Sequence, residues 1–180
     1  RSSLKTCSAI RIAPLPGVTG SSMTSDVSAP VDVSVRSTSY EVPAVNQQDL
    51  DRNLCIPTAQ LLKWMQAARV LLPWMGAGYT GLQRVEPPSA NRRLLVAAQL
   101  IQVAPSASLS GARGCEVTTE CTVGAIGKSS IEFCYRIYFD KQLAVTGTTT
   151  MIVVSGVPGA LGPAVVPEAL KKLAAPDASQ

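Results

Sequence analysis

The sequence predicts an α+β fold in which a long antiparallel sheet wraps around one central helix. Three observations lead there. Strict apolar-polar alternation fills the C-terminal half, a single stretch carries a long helical repeat, and two strands are joined so tightly that they must be antiparallel neighbours. The 180 residues suit one domain, and 46% apolar against 16% charged residues excludes a disordered chain. Aromatic residues make up only 4%, so the core has to be built from Val, Leu, Ile and Ala.

The elements follow in order. Val31, Val33 and Val35 alternate with Asp32, Ser34 and Arg36, the pattern of a half-buried strand, and Pro43 closes that region. Pro57 suits a first helical position, and Leu61, Met65, Ala68 and Leu72 follow at steps of three and four, predicting a helix over 57–72 that ends before Pro73. Gly76, Gly78, Gly81, Pro87 and Pro88 mark a loop. A mostly apolar run over 94–104 stops at Pro105. Cys115, Val117, Thr119, Cys121 and Val123 then form one face against Glu116, Thr118, Glu120 and Thr122. Ile131, Phe133, Tyr135, Ile137 and Phe139 repeat the pattern against Glu132, Arg136 and Tyr138. Asp140-Lys141 makes a tight reversal into a strand over 143–155. Residues 142–167 carry no charge, but the threonines and Pro158, Pro163 and Pro167 read as a strand with an irregular sequel and not as a membrane span. A short terminal helix is expected over 167–173.

The domain is expected to occupy 29–175, with an extended N-terminal arm over 1–28 and a tail at 176–180. The arm holds Arg1, Lys5, Arg11 and many serines before its first acidic residue, Asp26. That bias is the composition of an organellar transit peptide, so a mitochondrial or other organellar matrix is the expected location.

Histidine is absent, which removes Ser-His-Asp and Cys-His nucleophile pairs, zinc sites of the Cys/His type and imidazole proton transfer. No metal or other cofactor is called for. Cys7, Cys55, Cys115, Cys121 and Cys134 are odd in number with no Cys-x-x-Cys spacing, which reads as free thiols in a reducing compartment. The net charge of +4 is scattered, its densest cluster being Asn91-Arg92-Arg93, so specific nucleic-acid contact is not expected. One helix cannot cover a sheet of this length, and a second protomer, identical or paralogous, is expected to join through an edge strand.

The segment Asp49-Leu50-Asp51-Arg52-Asn53-Leu54-Cys55-Ile56-Pro57-Thr58-Ala59-Gln60-Leu61-Leu62-Lys63-Trp64, running into Ala67-Ala68-Arg69, resembles the start of the central helix in hotdog-fold acyl thioesterases of the acyl-CoA and acyl-carrier-protein kinds. Ile126-Gly127-Lys128-Ser129-Ser130 is similar to the family's Ile-Gly-x-Ser-Ser turn, and Val166-Pro167-Glu168-Ala169-Leu170 to its C-terminal tail. The resemblance spans about residues 30 to 175, with the motifs in the family's order. It implies a hotdog fold, Asp51 as catalytic carboxylate, Asn53 as an orienting amide, Thr58 and Ala59 as oxyanion donors at the helix start, and Gly127, Ser129 and Ser130 near the ligand's pantetheine arm.

The pattern is also broken. Cys55 stands in the place of the family's His, Leu54 in that of a Gly, and Pro57 and Thr58 in those of paired asparagines. With no His to activate it, Cys55 has only the helix terminus to lower its pKa and reads better as a small hydrophobe than as a nucleophile. The plain readings of the others are a dipole-stabilising carboxylate for Asp51 and turn residues for Asn53, Gly127, Ser129 and Ser130. Together the resemblance implies a thioesterase-like protein with weakened or lost hydrolysis, acting as an acyl-thioester-binding or structural subunit of a larger, mitochondrial assembly. The alternative is an active acyl-CoA or acyl-carrier-protein thioesterase that uses Asp51 as nucleophile or general base.

Overall fold

The computed structural model describes residues 35–75, 82, 92–104, 109, 112–157 and 159–172. Six strands, β1 (Ser37–Val42), β2 (Arg92–Val103), β3 (Val117–Ile126), β4 (Ser130–Phe139), β5 (Gln142–Val157) and β6 (Ala160–Pro163), form one sheet. Its order is β1-β3-β4-β5-β2, with β6 added to β5, and every pairing is antiparallel. Helix α1 (Thr58–Val70) is the long helix, and α2 (Glu168–Lys171) closes the described chain. The expected architecture is therefore the one observed.

The predicted alternation decides which side of each strand is buried. Val117, Thr119, Cys121 and Val123 of β3, and Ile131, Phe133, Tyr135, Ile137 and Phe139 of β4, all face inward. Leu61, Met65, Ala68 and Leu72 are buried against them as their spacing required. The helix seats so closely that a Cβ on Gly147 of β5 would lie 2.9 Å from the Met65 Cε. Trp64 meets Phe139 edge-on, and Trp74 stacks on Phe133 at 6.0 Å. Asp140 and Lys141 form the two-residue reversal, both with positive φ (45° and 68°), the geometry that matches the twist of the flanking strands.

The differences from expectation are local. The alternation at Val31 to Ser34 lies outside the described residues, and the observed strand begins at Ser37. The segment after β5, expected to be irregular, turns back through Gly159 to pair as β6. A single 3-10 turn at Gln47–Asp49 precedes the helix. Among the described residues, no helix is long and apolar enough to cross a membrane.

The backbone of helix α1 lies nearest β1 and β3, and its side chains reach β4 through Trp64 and Arg69 and β5 through Met65. On the other flank, β2 is an edge strand whose Leu95, Val96, Leu100 and Val103 are exposed.

Candidate active site at the helix start

The residues before α1 build a tight loop around one carboxylate. Asp51 Oδ1 accepts the backbone N–H groups of Asn53 (2.8 Å) and Cys55 (3.0 Å). Its own N–H donates to the Cys55 carbonyl at 2.8 Å, and the Leu54 N–H donates to the Asp51 carbonyl at 3.1 Å. One carboxylate oxygen is thus committed to holding the loop shut, which is the ordinary work of Asp in a turn. Leu54 is forced to φ 58°, where a side chain costs about 1 kcal/mol that Gly would not. The backbone keeps the bend that suits the Gly of the resembled motif, although the side chain is 52% exposed leucine.

The helix that follows starts without help. Pro57 is its N-cap, with no side-chain cap and no acidic residue in the first turn. The first N–H groups to close within the helix are those of Gln60 and Leu61, both donating to the Pro57 carbonyl. Pro57 has no N–H, so Thr58 and Ala59 hold the donors left without a partner among the described residues, at the positive end of the helix dipole. Both residues are exposed. Such a pair suits an oxyanion or another small negative group.

Asn53 enters the loop through its backbone. Cys55 is half-buried, and its thiol donates to the Asn53 carbonyl at 3.6 Å, so the loop engages it in a local hydrogen bond.

Asp51, Asn53, Cys55, Thr58 and Ala59 thus lie together. Gly127, Ser129 and Ser130 do not join them. Trp64, one and a half turns into the helix, sits at the Phe139 end of β4, whereas the Gly127 turn opens that strand at its Ser130 end. The ten residues of β4 span about 33 Å. The turn also has structural work: Gly127 N–H donates to the Ser130 carbonyl, and the carbonyls of Ser129 and Lys128 accept from Val153 and Val166. A Cβ on Gly127 would come within 2.6 Å of Ser130 Oγ, so any larger residue there would have to turn that hydroxyl aside.

At the same end of the sheet as the helix start, a hollow of about 530 Å³ is lined by Gln102, Val103, Ala104, Leu143, Val145 and Thr146. It opens beside the exposed edge of β2. Among the described residues, no cluster of Cys, Asp and Glu could hold a metal ion. Cys55, Cys115, Cys121 and Cys134 are free; Cys7 lies outside the described residues. Burial pushes the Cys121 thiol up to about 12 and raises Cys134, with Glu132 adding to the latter. These two thiols are held away from the nucleophilic form.

Sequence reasoning missed a polar chain beneath the helix. Arg69 is only 7% exposed, its guanidinium lies 5.7 Å over the Phe133 ring, and Nη1 donates to Tyr135 Oη at 3.1 Å. The buried Thr149 hydroxyl accepts from Gln99 on the edge strand at 3.3 Å. Burial pushes the Tyr135 phenol up to about 12. Arg69 Nε and Thr119 Oγ1 are buried without partners. The signal was present in the spacing: residue 69 falls four after Met65, on the buried stripe.

No family model matches the chain, and no curated protein matches it by sequence. Solved structures do match. A 4-hydroxybenzoyl-CoA thioesterase variant complexed with 4-hydroxybenzoyl-CoA aligns with TM-score 0.62 at 14% identity, covering 78% of this chain and all of that one. The 12:0-ACP thioesterase from Umbellularia californica gives 0.61 at 15% identity, over 76% of this chain and 48% of that one. The 1,4-dihydroxy-2-naphthoyl-CoA thioesterase Slr0204 from Synechocystis gives 0.59 at 16% identity, over 77% and 95%. At these identities the likeness establishes the fold: the chain has the hotdog architecture of these thioesterases.

Proposed function

We propose that this protein binds acyl thioesters, of coenzyme A or of acyl carrier protein, with hydrolysis weakened or lost, and serves as a subunit of a larger assembly in an organellar, mitochondrial matrix. It works as a pair of hotdog protomers joined through β2. The observation that carries this reading is the double commitment of Asp51 Oδ1 to its own loop. The loop also holds Cys55 and Pro57 where the resembled motif has an imidazole and a side-chain amide. What is left for chemistry is the second oxygen of Asp51 and the N–H groups of Thr58 and Ala59, which have no partner among the described residues. Those suffice to hold a thioester carbonyl. Removing one oxyanion donor typically costs about 10²-fold to 10³-fold in rate, so the depleted set supports slow turnover at best.

The competing reading, an active thioesterase with Asp51 as nucleophile or general base, is supported by the second oxygen of Asp51 and the two N–H groups of Thr58 and Ala59, none of them partnered among the described residues. One experiment separates the two. The purified protein is incubated with a panel of acyl-CoA substrates, released thiol is measured, and binding of the same compounds is followed by calorimetry. Saturable binding with turnover at or below detection supports the proposal. Vigorous turnover that disappears in Asp51→Asn would replace it with the enzyme. Restoring the motif with Cys55→His and Pro57→Asn should raise turnover where the bound thioester reaches the helix start.

A further inference from the structure

The hairpin of β5 and β6 projects beyond the strands beside it. β4 leaves β5 at Ile152, and β6 takes over that side from Val154 to Val157. On the other side β2, in register with β5 before and after a bulge at Ala97, begins with Arg92 opposite Ser155. Past Ser155 the two arms of the hairpin therefore pair only with each other among the described residues. Val157 lies opposite Ala160, and Gly156 opposite Leu161, so Val157 stands on one side of the hairpin and Leu161 on the other. They are 61% and 41% exposed, and Val165, just after β6, is 41% exposed. Apolar surface thus covers both sides of a narrow tip, within a run from Gln142 to Pro167 that holds no charged residue.

The outer edge of β6 is closed to another strand. The Ala164 N–H donates to the Val153 carbonyl, so Pro163, one residue earlier, faces away from β5, where an added strand would need the N–H that proline lacks. Behind the tip lies a band of positive charge. Arg92 and Arg93 are adjacent on β2, so their side chains leave on opposite sides of the sheet, and the strand advances about 7 Å from Ser155, beside Arg92, to Val157. Across β5, the Val153 N–H donates to the Ser129 carbonyl and the Val166 N–H to that of Lys128, which sets Lys128 about 13 Å behind Val157. Glu168, the first acidic residue after the uncharged run, is ion-paired with Lys171. A flat protein surface would cover one side of such a tip. A lipid layer covers both, and an apolar segment buried about 5 to 10 Å into it brings cations at this setback to the depth of the phosphates.

We propose that the β5–β6 hairpin docks the protein on a membrane surface that carries anionic lipid headgroups. Val157 and Leu161 enter the boundary between headgroups and acyl chains, and Arg92, Arg93 and Lys128 meet the lipid phosphates. The protein lies on the membrane and does not cross it by this element. The inference rests neither on thioester binding nor on the pairing of protomers.

The full chain is sedimented with vesicles of phosphatidylcholine alone and of phosphatidylcholine mixed with phosphatidylserine, at physiological ionic strength. It should bind the mixed vesicles and bind the neutral ones far more weakly. Val157→Asp combined with Leu161→Asp should abolish binding while leaving the thermal melt in place, since both side chains are exposed. Arg93→Gln and Lys128→Gln should each weaken it about fivefold. Leu161→Trp gives a reading of depth: its fluorescence should be quenched by brominated lipid, whereas Trp64 and Trp74, 3% and 0% exposed, keep theirs. Failure to sediment with the mixed vesicles overturns the proposal and leaves the hairpin to a protein groove. Binding that survives the two aspartates, or Leu161→Trp fluorescence that brominated lipid does not quench in the bound protein, overturns the hairpin as the docking element.

Discussion

The buried guanidinium of Arg69 gives the most direct check on how the core is held. Its hydroxyl partner on Tyr135 is its one side-chain hydrogen bond among the described residues, and its Nε has none. Tyr135→Phe should leave a buried charge stranded, which costs about 2 to 4 kcal/mol. Arg69→Met removes the charge instead. It forfeits the contact with the Phe133 ring, about 1 kcal/mol, and the bond to Tyr135. Against this it relieves the orphaned Nε, roughly 1 to 3 kcal/mol, so the single change should fall within about 1 kcal/mol of the parent. The double variant, Arg69→Met with Tyr135→Phe, should then be more stable than Tyr135→Phe alone by about 1 to 3 kcal/mol, the reverse of what two damaging changes give when they add. Urea denaturation of the four proteins measures this through their midpoints. A double variant no more stable than Tyr135→Phe would refute the assignment of Arg69 as a charge sustained by that hydroxyl.

Three further outcomes are expected. Cys121 and Tyr135 ionise near 12 in the folded protein, against 9.0 and 10.0 for the free groups. Between those values the unfolded chain loses protons that the folded one keeps, so their contribution is complete below pH 9 and is lost as the pH climbs towards 12; Cys121→Ala should flatten the lower part of that decline in a thermal-melt series. Lys141→Gly removes a side chain from a positive-φ position in the β4–β5 reversal and should raise stability by about 0.5 to 1 kcal/mol in denaturant titrations. Asp51→Asn keeps an acceptor oxygen for the Asn53 and Cys55 N–H groups, so stability should move by less than about 0.5 kcal/mol, while any thiol release from acyl-CoA disappears.

The fold was legible wherever one periodicity ran for several turns or pairs. Leu61, Met65, Ala68 and Leu72 announced the helix, and the alternating faces of β3 and β4 announced their burial, because each buried side chain repeats at the period of its backbone. β6 was not legible, since Gly156, Pro158 and Gly159 look like breakers until the chain is seen to fold back on β5. The bulge at Ala97 was equally hidden, because an apolar run reads the same with or without an extra residue. At the candidate site, the grouping of Asp51 with Thr58 and Ala59 follows from proximity along the chain. The closure of the loop by Asp51 does not, because Asx hydrogen bonds depend on backbone angles that residue types only bias. Arg69 was overlooked for a different reason: charge argues for solvent, and only the ring and hydroxyl of residues more than sixty positions away make its burial tolerable.

The sheet order also implies a sequence of assembly. β3, β4 and β5 are consecutive in the chain and adjacent in space, so they form a meander that closes only short loops, whereas β1 must find β3 and β2 must find β5 across long stretches of chain. A growing chain has synthesised its helix and both of its outer strands before the central ones exist. Those outer strands must then wait, β2 with its uncharged apolar stretch unpaired on both edges, until the last third of the domain arrives. Pulse-labelled hydrogen exchange during refolding should accordingly protect β4 first and β2 late, and a chain ending before β5 should be prone to self-association through the strand that later becomes its edge.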